Sequence, residues 1–286
     1  MTAPVANPEP QLSGLLSELP TEPHQTDPEP TVAKSIAAEQ VGLFREDNSG
    51  SNMTARSWDE RLVAASGSDP DVAEEFRRLR TRILHPPEGG NPPQIILVAS
   101  VAPDEGKTFV CSGLAISLAQ GVEAHVLMVD CDLRQPTLAG VFGLDNEPGL
   151  SDHLRDKTGL DQLIRKTGLH KLSLIASGRP PANPAELLGS DMLAAMINEV
   201  AGRYPDRYIL IDSPPLLKAA ETAILAKLVD GVVLVVREGG SRRNDIRLFI
   251  DTIGPEKIIA VVFNGYRSNL IENRLSGAYG GGYYSS

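Results

Sequence analysis

An alternation of two kinds of segment constrains the fold most. Between residues 94 and 264 lie six short apolar runs: QIILVAS (94–100), HVLMVD (125–130), KLSLIA (171–176), RYILID (207–212), GVVLVV (231–236) and KIIAVVFN (257–264). Stretches with helical character fill most of the gaps between them, at 107–120, 185–202, 219–228 and 242–253. Strands that are apolar on both faces and separated by helices predict an α/β protein, with a mostly parallel sheet covered by helices on both sides. One more helix is expected in DPDVAEEFRRLRTRIL. There Pro70 suits a first turn, and Val72, Phe76, Leu79 and Ile83 recur at helical spacing. The following HPPEGGNPP stops it. Residues 135–170 are expected to hold short helices and loops.

Composition bounds what such a chain can do. With 286 residues, 41% of them hydrophobic, it can bury one sizeable core. A net charge of -10 argues against nucleic acid as a general partner, which needs a basic face. The two cysteines, Cys111 and Cys131, lie in segments that read as buried and do not make a disulfide framework, which fits a reducing, cytoplasmic setting. MTAPVANPEPQL has no basic start or apolar stretch and does not read as a secretory signal. Apolar runs such as IILVASVA are too short to span a bilayer, so a place at the membrane would come through a partner. Residues 1–69 are acidic and rich in proline, and are expected to be disordered apart from a short apolar stretch, AKSIAAEQVGLF (33–44). The domain is expected to run from 70 to 268, followed by a flexible tail from 269 to 286.

The segment VASVAPDEGKTFVCSGL follows the first strand and opens a helix, the context that a phosphate-binding loop requires. Residues Pro103, Asp104, Glu105, Gly106, Lys107, Thr108 and Phe109 are the candidates for holding a nucleotide. Gly106 lets the main chain approach a phosphate, Lys107 would reach the β- and γ-phosphates of ATP, and the Thr108 hydroxyl would ligate Mg²⁺. Val101 stands where the standard spacing places a glycine. The second run ends in Asp130 and Asp132, which alternation along a strand would point the same way. The fourth ends in Asp212, four hydrophobic residues and then an aspartate, a pattern whose carboxylate holds Mg²⁺ directly or through water. These three carboxylates would repel one another without a bound cation, and Lys107 and Arg134 are expected to relieve the charge.

APDEGKT, LMVDCDLRQP and LIDSPP together resemble the bacterial tyrosine kinases of capsular and exopolysaccharide systems, the CpsD/CapB type, over residues 70–286. The fold so implied is that of a P-loop NTPase of the MinD/ParA kind. The resemblance implies catalytic roles for Lys107, Asp130, Asp132 and Asp212, with Asp130 as the base facing an incoming tyrosine and Thr108, Asp132 and Asp212 around Mg²⁺. It implies a ring-like homo-oligomer held partly by Glu74, Arg77 and Arg80 of EEFRRLRTRI. It also implies a membrane activator of the chain-length-regulator (polysaccharide copolymerase) type, a tyrosine phosphatase, and a peripheral position at the inner face of the plasma membrane. Two departures stand out: Asp104 where the family often has glycine, and Glu221 where it usually has aspartate.

The tail SGAYGGGYYSS carries three of the six tyrosines, Tyr279, Tyr283 and Tyr284, on a stretch that glycine keeps out of helix and strand. Taken alone it reads as a sticky end. Beside the resemblance it reads as a substrate that enters a neighbouring protomer's cleft and is phosphorylated there. Two other classes remain open: a ParA/MinD-type ATPase switch and a non-catalytic nucleotide-dependent scaffold.

Overall fold

In the computed structural model, residues 58–86, 89–122 and 124–266 are described. Seven strands form one sheet: β1 (Ile95–Ser100), β2 (His125–Asp130), β3 (Ile164–Lys166), β4 (Leu172–Ile175), β5 (Arg207–Asp212), β6 (Gly231–Arg237) and β7 (Ile258–Asn264). Their order is β3-β4-β2-β5-β1-β6-β7, and every neighbouring pair is parallel except β3 with β4. All six expected strands are present. The seventh, β3, arises in the stretch expected to hold only short helices and loops. Its three residues IRK carry no strand signal of their own, and pairing with β4 supplies it.

Both faces of the sheet are covered. Ile96, Val98, Val126, Met128, Leu210, Val233 and Val235 pack into one cluster with Phe76 and Leu114 from the helices. The residues that alternate with them, Leu97, Leu127, Ile209, Ile211, Val232 and Leu234, are equally buried. That is why these strands read as unbroken apolar runs.

The helix Pro70–Leu84 begins as expected, with the Asp69 side chain accepting from Asp71 N and Val72 N and proline in the first turn. It lies on the helix Lys107–Ala119 where Phe76 sits over Gly113; a Cβ on Gly113 would collide with the Phe76 ring. The run expected as one helix at 185–202 is two, Pro184–Leu188 and Asp191–Arg203, because Ser190 takes an N-cap position and accepts from Leu193 N. The helix expected over 219–228 is shorter, Glu221–Leu225, closing in a 3₁₀ turn.

Helical structure starts upstream of residue 70. Glu60–Val63 is helical, and Asp59 caps it. Trp58 anchors this segment: its indole N–H donates to Thr167 O at 3.0 Å, and its ring meets Phe142 edge-on at 5.1 Å. Leu62 is wholly buried. The expected boundary was late because twelve residues with one tryptophan and two leucines or valines show no period until the docking surface is known.

Candidate active site

The phosphate loop joins β1 to the helix Lys107–Ala119 at the C-terminal edge of the sheet, where open α/β sheets bind ligands. For its N–H groups to face an anion, its carbonyls must turn outward and find donors there. They do. Asp104 O accepts from Arg237 Nη1 at 3.0 Å, and Glu105 O accepts from Asn264 Nδ2 at 2.8 Å. Gly106 has φ 90°, and a Cβ at that position would collide with the Asn264 amide. No side chain caps the helix that follows, and its first turn holds no acidic residue, so the positive end of the helix is left for a ligand.

Glu105, expected among the nucleotide contacts, points the other way. It is 1% exposed. One carboxylate oxygen accepts from Val101 N and Ala102 N, both at 2.9 Å; the other accepts from Ser241 Oγ at 2.7 Å and Ser241 N at 3.2 Å. The side chain is a buried brace for the start of the loop, the place where Val101 replaces the expected glycine. Asp104 adopts φ 61°, a left-handed conformation that explains why glycine suits this position.

Four charged or polar groups meet above the loop. Lys107 Nζ lies 3.1 Å from Asp132 Oδ2. Thr108 Oγ donates to Asp212 Oδ2 at 2.7 Å. Burial pulls the lysine toward neutrality, but the carboxylates of Asp212, Asp132 and Asp130 outweigh it and raise its pKa. Asp212 is itself pushed up to about 6 by burial, with Lys107 and Thr108 pulling it back. Its other oxygen, Oδ1, is buried and finds no hydrogen-bond partner among the described residues. An orphaned carboxylate oxygen beside a threonine hydroxyl fits a hard cation, which would also draw ligands from bound phosphates. Among the described residues no cluster of three or more acidic, histidine or cysteine side chains forms a metal cage by itself.

Asp130 and Asp132 are not equivalent. β2 ends at Asp130, so strand alternation does not extend to residue 132. Asp130 is fully buried; its Oδ1 accepts from Asp132 N at 3.0 Å and its Oδ2 from Leu138 N at 3.2 Å. Burial and the neighbouring Asp212 push its pKa well up. Asp132 reaches the cleft; Asp130 sits behind it. Arg134, expected to offset these carboxylates, instead gives its Nε and Nη2 to Glu221 Oε1 at 2.9 and 2.8 Å. Glu221 is buried, so the departure at this position is matched by a partner that ties the segment after β2 to the one after β5.

The cleft has a volume of about 580 Å³. Pro103, Asp104, Gly106, Lys107, Thr108, Phe109 and Asp132 line it. Residues that the motifs missed line it too, among them Asp59, Arg61 and Leu62 from the upstream segment, and Arg237, Asn264 and Gly265 from the ends of β6 and β7. The strand ends carried a usable signal, since they share the edge where ligands bind. Glu74, Arg77 and Arg80 lie away from the cleft. Glu74 and Arg77 pair along the helix at 2.7 Å, while Arg80 turns inward to Ser117 O at 2.6 Å. The tyrosines Tyr279, Tyr283 and Tyr284 lie outside the described residues.

This fold, with Gly-Lys-Thr between β1 and an uncapped helix, defines a phosphate-loop NTPase. No family model matches the chain. It is 32% identical over 216 residues to the tyrosine-protein kinase ptk of Acinetobacter johnsonii, a match that covers 76% of this chain and 28% of that protein. It is 30% identical over 210 residues to the tyrosine-protein kinase YwqD of Bacillus subtilis, covering 73% of this chain and 86% of YwqD. The solved kinase domain of the Escherichia coli tyrosine kinase ETK superposes with a TM-score of 0.62 at 27% identity, covering 73% of this chain and 82% of that one. The chain belongs to the bacterial tyrosine-protein kinase family. It spans less than a third of the length of the Acinetobacter relative and most of the length of the Bacillus one.

Proposed function

We propose that the protein is an ATP-dependent protein-tyrosine kinase that phosphorylates its own C-terminal cluster, Tyr279, Tyr283 and Tyr284, in a neighbouring copy. One observation carries the reading. Lys107 and Thr108 at the mouth of an uncapped helix converge on Asp132 and Asp212, and Asp212 Oδ1 is left unpaired for a cation. Loop amides and Lys107 would hold the triphosphate, and Thr108, Asp132 and Asp212 would hold Mg²⁺. The metal would supply charge neutralisation as the phosphoryl group moves. A tyrosine phenol, with a pKa about 10, is a better nucleophile once its proton is taken, the task assigned to Asp130. Asp130 is buried and accepts from Asp132 N and Leu138 N, the bond to Leu138 being the longer.

The family supports a role in capsular or exopolysaccharide assembly, in which cycles of tail phosphorylation regulate polymerisation and export. In this reading the chain acts as a ring-like homo-oligomer with a membrane chain-length regulator as activator and a tyrosine phosphatase to reset it. Such an activator would place it at the inner face of the plasma membrane. No helix among the described residues is long and apolar enough to cross a membrane.

The test is mass spectrometry of the protein after incubation with ATP and Mg²⁺. Phosphotyrosine on the tail of wild type and none on Lys107→Met is expected. Released phosphate with no phosphotyrosine would replace the kinase with an ATPase switch, and neither product would leave a nucleotide-dependent scaffold.

A further inference from the structure

We propose that Tyr266 is an additional phosphate acceptor and that its phosphorylation loosens the phosphate loop of the molecule that carries it. The acceptor half rests on the tyrosine-kinase reading above; the loop half does not.

Three tyrosines fall among the described residues, and only Tyr266 offers itself. The Tyr204 hydroxyl is buried and Tyr208 is half-buried on β5, whereas Tyr266 is 49% exposed. Gly265, at φ 72°, turns the chain off the end of β7 and sets Tyr266 outside the sheet edge, its ring tilted against the exposed Phe263 at 5.9 Å. The two residues before it, Asn264 and Gly265, line the nucleotide cleft. They do so beside the phosphate loop, Asn264 against Gly106 and Gly265 against the Arg237 side chain. As in the reading given above for the tail, Tyr266 would meet the γ-phosphate held by a second copy. Its phenolic oxygen would attack the γ-phosphorus of ATP, forming an O–P bond. The bond from that phosphorus to the β,γ-bridging oxygen breaks, ADP leaves, and the phenolic proton passes to a carboxylate of the recipient cleft.

The consequence follows from who holds the loop. Arg237 and Asn264 are the two donors that fix the outward carbonyls of Asp104 and Glu105. The Arg237 side chain runs alongside Gly265, whose Cβ would stand 3.6 Å from both Cγ and Nε of the arginine. A phosphotyrosine brings about -1.5 to -2 of charge one residue further on. A guanidinium binds a phosphate more strongly than a neutral carbonyl. The phosphate would draw Arg237 off Asp104 O, and Asp104 is already in a left-handed conformation that the loop has to maintain. Nucleotide affinity should fall.

The acceptor half is tested in the full chain with Tyr279, Tyr283 and Tyr284 all changed to Phe. After ATP and Mg²⁺, phosphosite mapping should find Tyr266 modified, and not in the Lys107→Met version. A bare Tyr266 overturns the acceptor claim. Wild type run beside it shows how far the failure extends: a labelled tail sinks Tyr266 alone, and an unlabelled tail sinks the kinase reading as well. The loop half is tested without any kinase activity, in full chain carrying phosphotyrosine incorporated at position 266. ADP with Mg²⁺ should bind at least fivefold more weakly than to the unmodified protein, and the difference should vanish in an Arg237→Ala background. Equal affinities with Arg237 in place overturn it. Tyr266→Phe should leave ADP affinity unchanged.

Discussion

Asp104 carries two liabilities at once, a left-handed backbone and a carboxylate lining the place where phosphates would sit. Asp104→Gly removes both. Relief of the backbone cost is offset by the greater freedom of glycine in the unfolded chain, so melting should change little, by under about 0.5 kcal/mol. Removing the charge should tighten ADP binding by about three- to tenfold, or about 0.7–1.4 kcal/mol, measured by calorimetry. Asp130 poses a different question, because a buried aspartate with both oxygens on backbone N–H groups can be a base or a brace. If it is the base, Asp130→Asn leaves ADP affinity within about twofold and lowers phosphotransfer by about a hundredfold or more. A matched loss of affinity and turnover makes it a brace for the segment from Asp132 to Leu138. Asp132 was singled out by an alternation that stops at Asp130 and is placed by the chain beyond β2, whereas Lys107, Thr108 and Asp212 were legible because strand, turn and helix place them by local spacing. Glu105 and Arg134 were not, because the direction of each side chain is set by distant partners: Ser241, 136 residues on, and Glu221, 87 residues on.

Between elements, the contact that most directly supports the loop is the crossing of Pro70–Leu84 over Lys107–Ala119. Phe76 fills the notch left by Gly113 and stands edge-on to Phe109 at 5.6 Å, and Phe109 lines the cleft. Phe76→Ala should cost about 3–5 kcal/mol in urea denaturation, with the upper end expected if the glycine notch stays open as a cavity. Gly113→Ala should be nearly as harmful by the opposite route, overfilling the notch. A cost under about 1 kcal/mol for both would show that the two helices are not rigidly coupled. The period of Val72, Phe76, Leu79 and Ile83 made this helix readable from sequence. The glycine that receives it was not readable as such, since nothing in VCSGLAISLA says which residue faces a neighbour. β3 was hidden for a related reason: its strand character comes wholly from β4. The segment from Trp58 to Val63 was hidden because its docking sites, Phe142 and Thr167, lie more than eighty residues away in sequence.

At the scale of the whole molecule, the charge of -10 and the proposed ring bear on each other. Association of like-charged protomers has to outweigh their net repulsion locally, and the helix Pro70–Leu84 exposes Arg77, Arg78 and Arg82, the first two paired with Glu74 and Glu75. The three residues that the resemblance assigns to the interface do not have one role in the fold. Glu74 and Arg77 pair on the open surface, a bond that contributes little to stability in water and can be exchanged for a neighbour's charges. Arg80 closes the last turn of the phosphate-loop helix through Ser117 O. These roles separate on mutation. Arg77→Ala should lower the mass seen by light scattering toward that of the monomer and leave the melting midpoint within about a degree. Arg80→Ala should lower stability by about 1–2 kcal/mol as well, because a helix-end carbonyl loses its charged donor. If Arg77→Ala leaves the assembled mass unchanged, the helix is a solvated charged face and the ring has to be sought elsewhere on the surface. If Arg80→Ala disperses the assembly with no loss of stability, its bond to Ser117 is incidental and the arginine serves a neighbour first.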